Sequence, residues 1–216
     1  MIKGFLFDLD GVIVDTAVFH YQAWRRMANE LGFDIDEEFN ETLKGISRMD
    51  SIARILAYGG VELSDERTLE LAKKKNEWYL EFVDKMTEAN VLPGIIDLLD
   101  QLDAAGIKIA LGSASKNAPR ILEKIGIIDR FEALVDGNSV KKSKPDPEVF
   151  LNGAKALNLE NEECMVVEDA FAGIEAAHAA NMKAIGIGTT ENLPNADYII
   201  PSFEGLKIAD ILKEMA

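Results

Sequence analysis

Hydrophobic and polar positions divide the chain into stretches with different periods. Residues 3–7 form a short apolar run that predicts a buried strand, stopping abruptly at Asp8. From residue 16 to about 88 the spacing is helical. Ala17, Tyr21, Trp24, Ala28 and Leu31 recur on one face and predict a helix over 17–31, with Gly32 as its stop. Residues 47–60 predict a second helix ending at Gly59-Gly60, and residues 64–86 a long third one whose start Ser64 can cap. No stretch in this region has strand character.

After Pro93-Gly94 the pattern alternates. Helices are predicted over 95–106, 117–126, 146–158 and 172–182, and strands over 107–113, 133–137, 164–170, 183–189 and 196–200. The strands are near-continuous apolar runs, as expected of a parallel sheet covered on both faces. The chain therefore reads as an α/β core, residues 1–15 and 89–216, interrupted after its first strand by a helical insert, residues 16–88. Two short connections to one compact insert suggest a hinged lid.

Composition narrows the class. Of 216 residues 48% are apolar, which excludes general disorder. The chain opens on a strand pattern, so no signal peptide is expected, and no apolar run is long enough to span a membrane. The formal net charge of −15 argues against nucleic acid or an anionic membrane as partner. Any anionic substrate must then be held by local positive groups or a metal. The single cysteine, Cys164, reads as a small buried residue, suits a reducing cytoplasm and cannot form an internal disulfide. No exposed apolar stripe stands out, so a monomer is expected.

In open α/β sheets ligands sit at the carboxyl ends of the strands. There the predicted strands deliver Asp8 and Asp10, then Ser113, then Glu168 and Asp169, while the loop after the third strand of the core carries Lys144. Asp8 and Asp10 are two positions apart and share one side of an extended chain. With Glu168 and Asp169 they can hold Mg²⁺, a cation that prefers oxygen ligands; any one of them alone could equally cap a helix or sit in a turn. Ser113 either offers a phosphate site with the amides of the helix start or simply caps that helix. Lys144 can offset the charge of the acids and of a phosphoryl group, whereas Lys141 and Lys142 read as a solvated basic run. A carboxylate can attack phosphorus while a second one moves protons. Asp8 is thus assigned as nucleophile and Asp10 as general acid/base.

The segments DLDGVIVDT, GSASK, KSKPDP and VVEDAFAGIEAA together resemble the four motif regions of the haloacid dehalogenase-like superfamily. The resemblance implies a Rossmann-like sheet, an α-helical cap, Mg²⁺ and an aspartyl-phosphate mechanism. Within the insert, LKGISRMDSI, DTAVFHYQAW and LAKKKNEWY resemble the β-phosphoglucomutase branch. That implies interconversion of β-D-glucose 1-phosphate and D-glucose 6-phosphate through β-D-glucose 1,6-bisphosphate. One phosphate would sit at Asp8 with Mg²⁺, Ser113 and Lys144, and the other near Arg48, Ser115, Lys116 and Asn117, beside Ala114.

By the same resemblance Thr16 and His20 orient Asp10, and the cap loop Lys44, Gly45 and Ile46 accompanies Arg48. Ser51, Lys75 and Asn76 would contact the sugar. Trp24 would line the sugar pocket or belong to the core; His178 reads as structural. The extra lysines before KPDP depart from the family pattern. Two other readings remain: an Mg²⁺-dependent phosphatase of small sugar phosphates, and a non-catalytic phosphate-binding protein.

Overall fold

A computed structural model describes residues 1–214. Six strands form one parallel sheet: β1 (Gly4–Phe7), β2 (Lys108–Gly112), β3 (Ala133–Val135), β4 (Cys164–Glu168), β5 (Lys183–Ile187) and β6 (Tyr198–Ile200). Their spatial order is β3-β2-β1-β4-β5-β6, the doubly wound arrangement in which the direction of winding reverses at β1. In register, Phe7 lies between Leu111 and Val167, so the residues that follow it emerge between the ends of β2 and β4.

The apolar runs are continuous because alternate residues feed two cores. Phe5, Phe7, Ile109, Leu111, Met165 and Val167 pack on one face. Leu6, Ala110, Cys164, Val166 and Ala184 pack on the other. Nine α-helices are present among the described residues. Four lie between β1 and α5: α1 (Ala17–Glu30), α2 (Glu37–Glu41), α3 (Arg48–Gly59) and α4 (Asp65–Val83). The rest are α5 (Ile95–Ala104), α6 (Ala118–Lys124), α7 (Glu148–Leu157), α8 (Phe171–Ala179) and α9 (Ile208–Glu214).

Helices α5, α6 and α9 cover the first face and α7 and α8 the second. The cap chemistry is as read for α4, where Ser64 accepts a hydrogen bond from the Arg67 amide. Two helices were not foreseen. Asp36 caps the one-turn α2 by accepting from the Phe39 amide, and α9 buries Ile208 and Ile211. The last two residues of the chain lie outside the described structure.

Helices α1 to α4 pack on one another, with α4 central, and contain no strand partner for the sheet. Chain entry and exit are paired: Val14 and Val91 form an antiparallel bridge, and the Leu92 amide donates to the Ile13 carbonyl at 2.8 Å. No helix among the described residues is long and apolar enough to cross a membrane.

Candidate active site

Asp8 directly follows β1 and its amide donates to the Val167 carbonyl at 2.9 Å, which fixes the residue at the reversal point of the sheet. Lys144 reaches Asp8 Oδ1 and Glu168 Oε1, both at 2.6 Å, and all three side chains are buried. Burial works against the Lys144 charge, but the Asp8 and Glu168 carboxylates outweigh it and hold the ammonium above its usual range. The lysine was expected to offset the acids, and it does so by bridging two of them.

Glu168 is engaged through both oxygens. Its second oxygen accepts from the amides of Asp169 and Ala170 at 2.8 Å each, turning the chain from β4 into α8. Glu168 thus positions Lys144 and the turn, and Oε1, which accepts only from Lys144, keeps a lone pair for the metal-ligand role expected of it. Two glycines make room for the acids. A β-carbon on Gly173 would lie 1.8 Å from Glu168 Oε1. One on Gly11, whose φ is +82°, would lie 2.1 Å from Asp169 Oδ2.

Asp10 follows in a tight loop in which the Leu9 carbonyl accepts from the amides of Ile13 and Val14. Thr16, at the start of α1, donates to Asp10 Oδ1. Burial, then the Asp8 charge, pushes the Asp10 carboxyl up to about 7. Asp169 is also pushed well above the carboxylate range, by burial and then by Glu168 and Asp8; Lys44 lies 3.7 Å away. Of the two buried lysines near these four acids, Lys144 pairs with Asp8 and Glu168, and Lys75 acts on Asp10 while its own charge is disfavoured by burial. That surplus of negative charge on hard oxygen donors fits a divalent cation of the magnesium type. Among the described residues no three acidic, histidine or cysteine side chains form a ready-made cage. Such an ion would draw part of its shell from water and substrate oxygens.

A cavity of about 1500 Å³ separates these strand ends from α1, α3 and α4. Of the predicted site residues only Thr16 and Glu168 do not line it. Asp8, Asp10, Lys144, Asp169 and Ser113–Asn117 approach from the sheet; His20, Trp24, Lys44, Gly45, Ile46, Arg48, Ser51, Lys75 and Asn76 approach from the helices. Asn76 Oδ1 accepts from Arg48 Nη2 at 2.6 Å and from Asn117 Nδ2 at 2.9 Å, joining the helical layer to the loop after β2. Gly45 also crosses the gap, since a β-carbon there would meet the Ala170 β-carbon at 3.2 Å.

Ser113 does not cap α6; Asn117 occupies that position, and the Ser113 hydroxyl accepts from the Ser115 amide at 3.1 Å. His20 faces Lys75 rather than Asp10, with Nδ1 2.9 Å from Lys75 Nζ. Burial, then the charge of Arg48, pulls Lys75 well below its usual range; burial, then Lys75, does the same to His20. Trp24 is a core residue, and its ring lies 4.0 Å beneath Lys75 Nζ at the cavity wall. Ser51 donates to the Ser47 carbonyl at 3.0 Å. His178 pairs with Asp197 at 2.8 Å, remote from the cavity lining. Cys164 opens β4 with its side chain buried in the second core, and burial pushes its thiol up to about 11.

Sequence reasoning missed Tyr79. Its hydroxyl is buried with no hydrogen-bond partner among the described residues, and its ring packs 4.2 Å from His20. The only signal was its position four residues after Lys75 on α4.

Residues 5–187 match the family model described as haloacid dehalogenase-like hydrolase, and the chain belongs to that family. Its relatives include the β-phosphoglucomutase of Bacillus subtilis, 43% identical over 92% of this chain and 89% of the relative. The crystal structure of a β-phosphoglucomutase from Clostridium difficile superposes with a TM-score of 0.96 at 46% identity, covering 99% of this chain and 97% of the other. Hexitol phosphatase A of Escherichia coli is 32% identical over 95% of this chain and 94% of the relative.

Proposed function

We propose that the chain is a β-phosphoglucomutase that interconverts β-D-glucose 1-phosphate and D-glucose 6-phosphate through β-D-glucose 1,6-bisphosphate. The observation that carries this reading is the cavity itself. It has the acid pair and Lys144 at one end, and Arg48 with Asn117 at the other, so both phosphates of a bisphosphate meet donors. The identities of 43% and 46% to β-phosphoglucomutases over nearly the full chain support it.

Asp8 Oδ1 is held by Lys144, which leaves Oδ2 to attack phosphorus. The P–O bond to the sugar breaks as the new P–Oδ2 bond forms, and Asp10 gives its proton to the departing oxygen. In the other half-reaction the free hydroxyl of the substrate monophosphate attacks the aspartyl phosphate, the P–Oδ2 bond breaks and the hydroxyl proton passes to Asp10; the bisphosphate so formed turns round and Asp8 takes its other phosphoryl group. Lys144 neutralises charge on the transferring group. A bound Mg²⁺ would be held by Asp8, Asp10, Glu168 and Asp169 and would screen the approach of two anions. Arg48, offered by α3, clasps the distal phosphate, so binding there favours closure and excludes water. In this reading residues 16–88 are the cap domain on a core of 1–15 and 89–216. The enzyme is taken as a cytoplasmic monomer, in line with its lone buried thiol.

The test is a phosphorus NMR time course with Mg²⁺, β-glucose 1-phosphate and a trace of the 1,6-bisphosphate. Glucose 6-phosphate should accumulate with little inorganic phosphate. Inorganic phosphate as the main product would make the protein a sugar-phosphate phosphatase instead, the activity named for the hexitol phosphatase relative.

A further inference from the structure

The mouth of the cavity carries two positive charges, on Lys141 and Lys142, that the reaction scheme leaves unused, beside Lys116 of the expected distal-phosphate group. Lys116, Lys141 and Lys142 line the cavity and are exposed, so they stand at its opening. Lys141 and Lys142 belong to the run read from sequence as merely solvated. Their loop is instead fixed: Glu148 Oε2 accepts from both of their amides, at 3.0 Å and 2.9 Å. A second set of contacts locks this loop to the one bearing Lys116. Asn138 Nδ2 donates to the Lys116 carbonyl at 3.2 Å. A β-carbon on Gly137 would lie 2.3 Å from the Ala114 carbonyl oxygen and 2.9 Å from Lys116 Cγ. Only glycine allows the two basic loops to abut.

The charges on this rim are largely free. Among the described residues the Lys116 and Lys141 ammonium groups pair with no carboxylate, while Lys142 lies 3.1 Å from Asp146 Oδ2. Of the other cations lining the cavity, Lys144 is held by Asp8 and Glu168 and Lys44 by Glu41, Lys75 is buried, and Arg48, Arg54 and Lys73 stand on the opposite, helical side. A chain of net charge −15 repels a polyanion as a whole, so a local positive rim is where such a ligand can dwell.

We infer that Lys141 and Lys142, beside Lys116, form an outer anion site that takes a phosphate dianion of the sugar bisphosphate at the cavity mouth. The inference rests on the mutase reading. It supplies what that reading requires, a place to hold the bisphosphate while its two ends exchange.

The experiment compares wild type, K141A/K142A and the charge-matched control K124A/K207A, whose lysines are exposed and not part of the cavity lining. The apparent kcat/KM for β-glucose 1,6-bisphosphate is read at low and high salt. The rim variant should lose about fivefold to tenfold at low salt, with most of the difference gone near 0.5 M salt, and the control should match wild type. Equal values and equal salt dependence for the rim variant and wild type would overturn the site. So would a change confined to inhibition by inorganic phosphate, which would make it a site for the free anion.

A second measurement does not need turnover. The bisphosphate should slow acylation of the Lys141 and Lys142 amines, read by peptide mass spectrometry, and unchanged labelling would refute the assignment. Absence of wild-type turnover would fail the mutase reading, whereas turnover without protection would fail the site alone.

Discussion

Asp10 has a carboxyl that burial and the neighbouring Asp8 push up to about 7, so it holds a proton below neutrality and loses it above. Proton donation to a leaving oxygen should therefore fade as pH rises through about 7. Proton acceptance from an attacking hydroxyl should fade as pH falls through the same value. Single-turnover rapid quench should separate the limbs, with phosphorylation of Asp8 by the bisphosphate weakening above neutrality and its reverse weakening below. Asp10→Asn should slow both by about 10²-fold or more and erase both limbs. The same substitution should stabilise the fold. A carboxyl whose folded pKa is raised costs stability once it ionises, so the gain should be absent below pH 4, grow between pH 4 and 7, and level off. Denaturant titrations should show a plateau of about 1–2 kcal/mol, less than the full shift implies because the cavity admits water. An unchanged midpoint at pH 8 would mean that Asp10 is better solvated than its surroundings suggest.

The turn from β4 into α8 shows what one secondary-structure element can impose on chemistry. Glu168 ends the strand, accepts from two amides of the turn and lies where a β-carbon of Gly173 would be. Gly173→Ala should cost about 2–4 kcal/mol in urea unfolding, although alanine is normally the better helix residue. It should also lower kcat at least tenfold, because Glu168 shares Lys144 with Asp8. Retained kcat would show that Lys144 does not need its second carboxylate. Much of this was legible in the sequence, for local reasons. Buried parallel strands read as apolar runs, and their ends are marked by Asp8, Ser113 and Glu168. What escaped was non-local or short. Helix α2 is a single turn, too brief for a period, although Asp36 with Glu37 and Glu38 is an N-terminal signature. The Lys144 bridge, the Lys75–His20 pair and the unpartnered Tyr79 hydroxyl depend on which side chains meet across 24 to 136 positions, which spacing does not encode.

The helical layer and the sheet meet across a cavity spanned by a shared acceptor, Asn76 Oδ1, between Arg48 and Asn117, and by Lys44 3.7 Å from Asp169. Asn76→Ala should loosen this closure by the worth of such a bond, about 1 kcal/mol. Water should then compete better for the phosphoenzyme. Inorganic phosphate released per glucose 6-phosphate formed should rise about fivefold in the NMR time course; an unchanged ratio would show that closure depends on the ligand alone. The joint between the layers has a wider meaning. Val14 and Val91 pair where the chain leaves the sheet and where it returns, which sets the two ends of the helical layer about 5 Å apart. To the sheet, everything between them is one closed loop whose length and shape do not alter the strand register. A different helical layer spliced at this pair would inherit Asp8, Lys144 and Glu168 with their mutual contacts, and would have to bring its own partner for Asp10 in place of Thr16. The reaction and the choice of substrate are thus heritable as separate parts, and exchange of the segment between these two valines is a route to new sugars on unchanged chemistry.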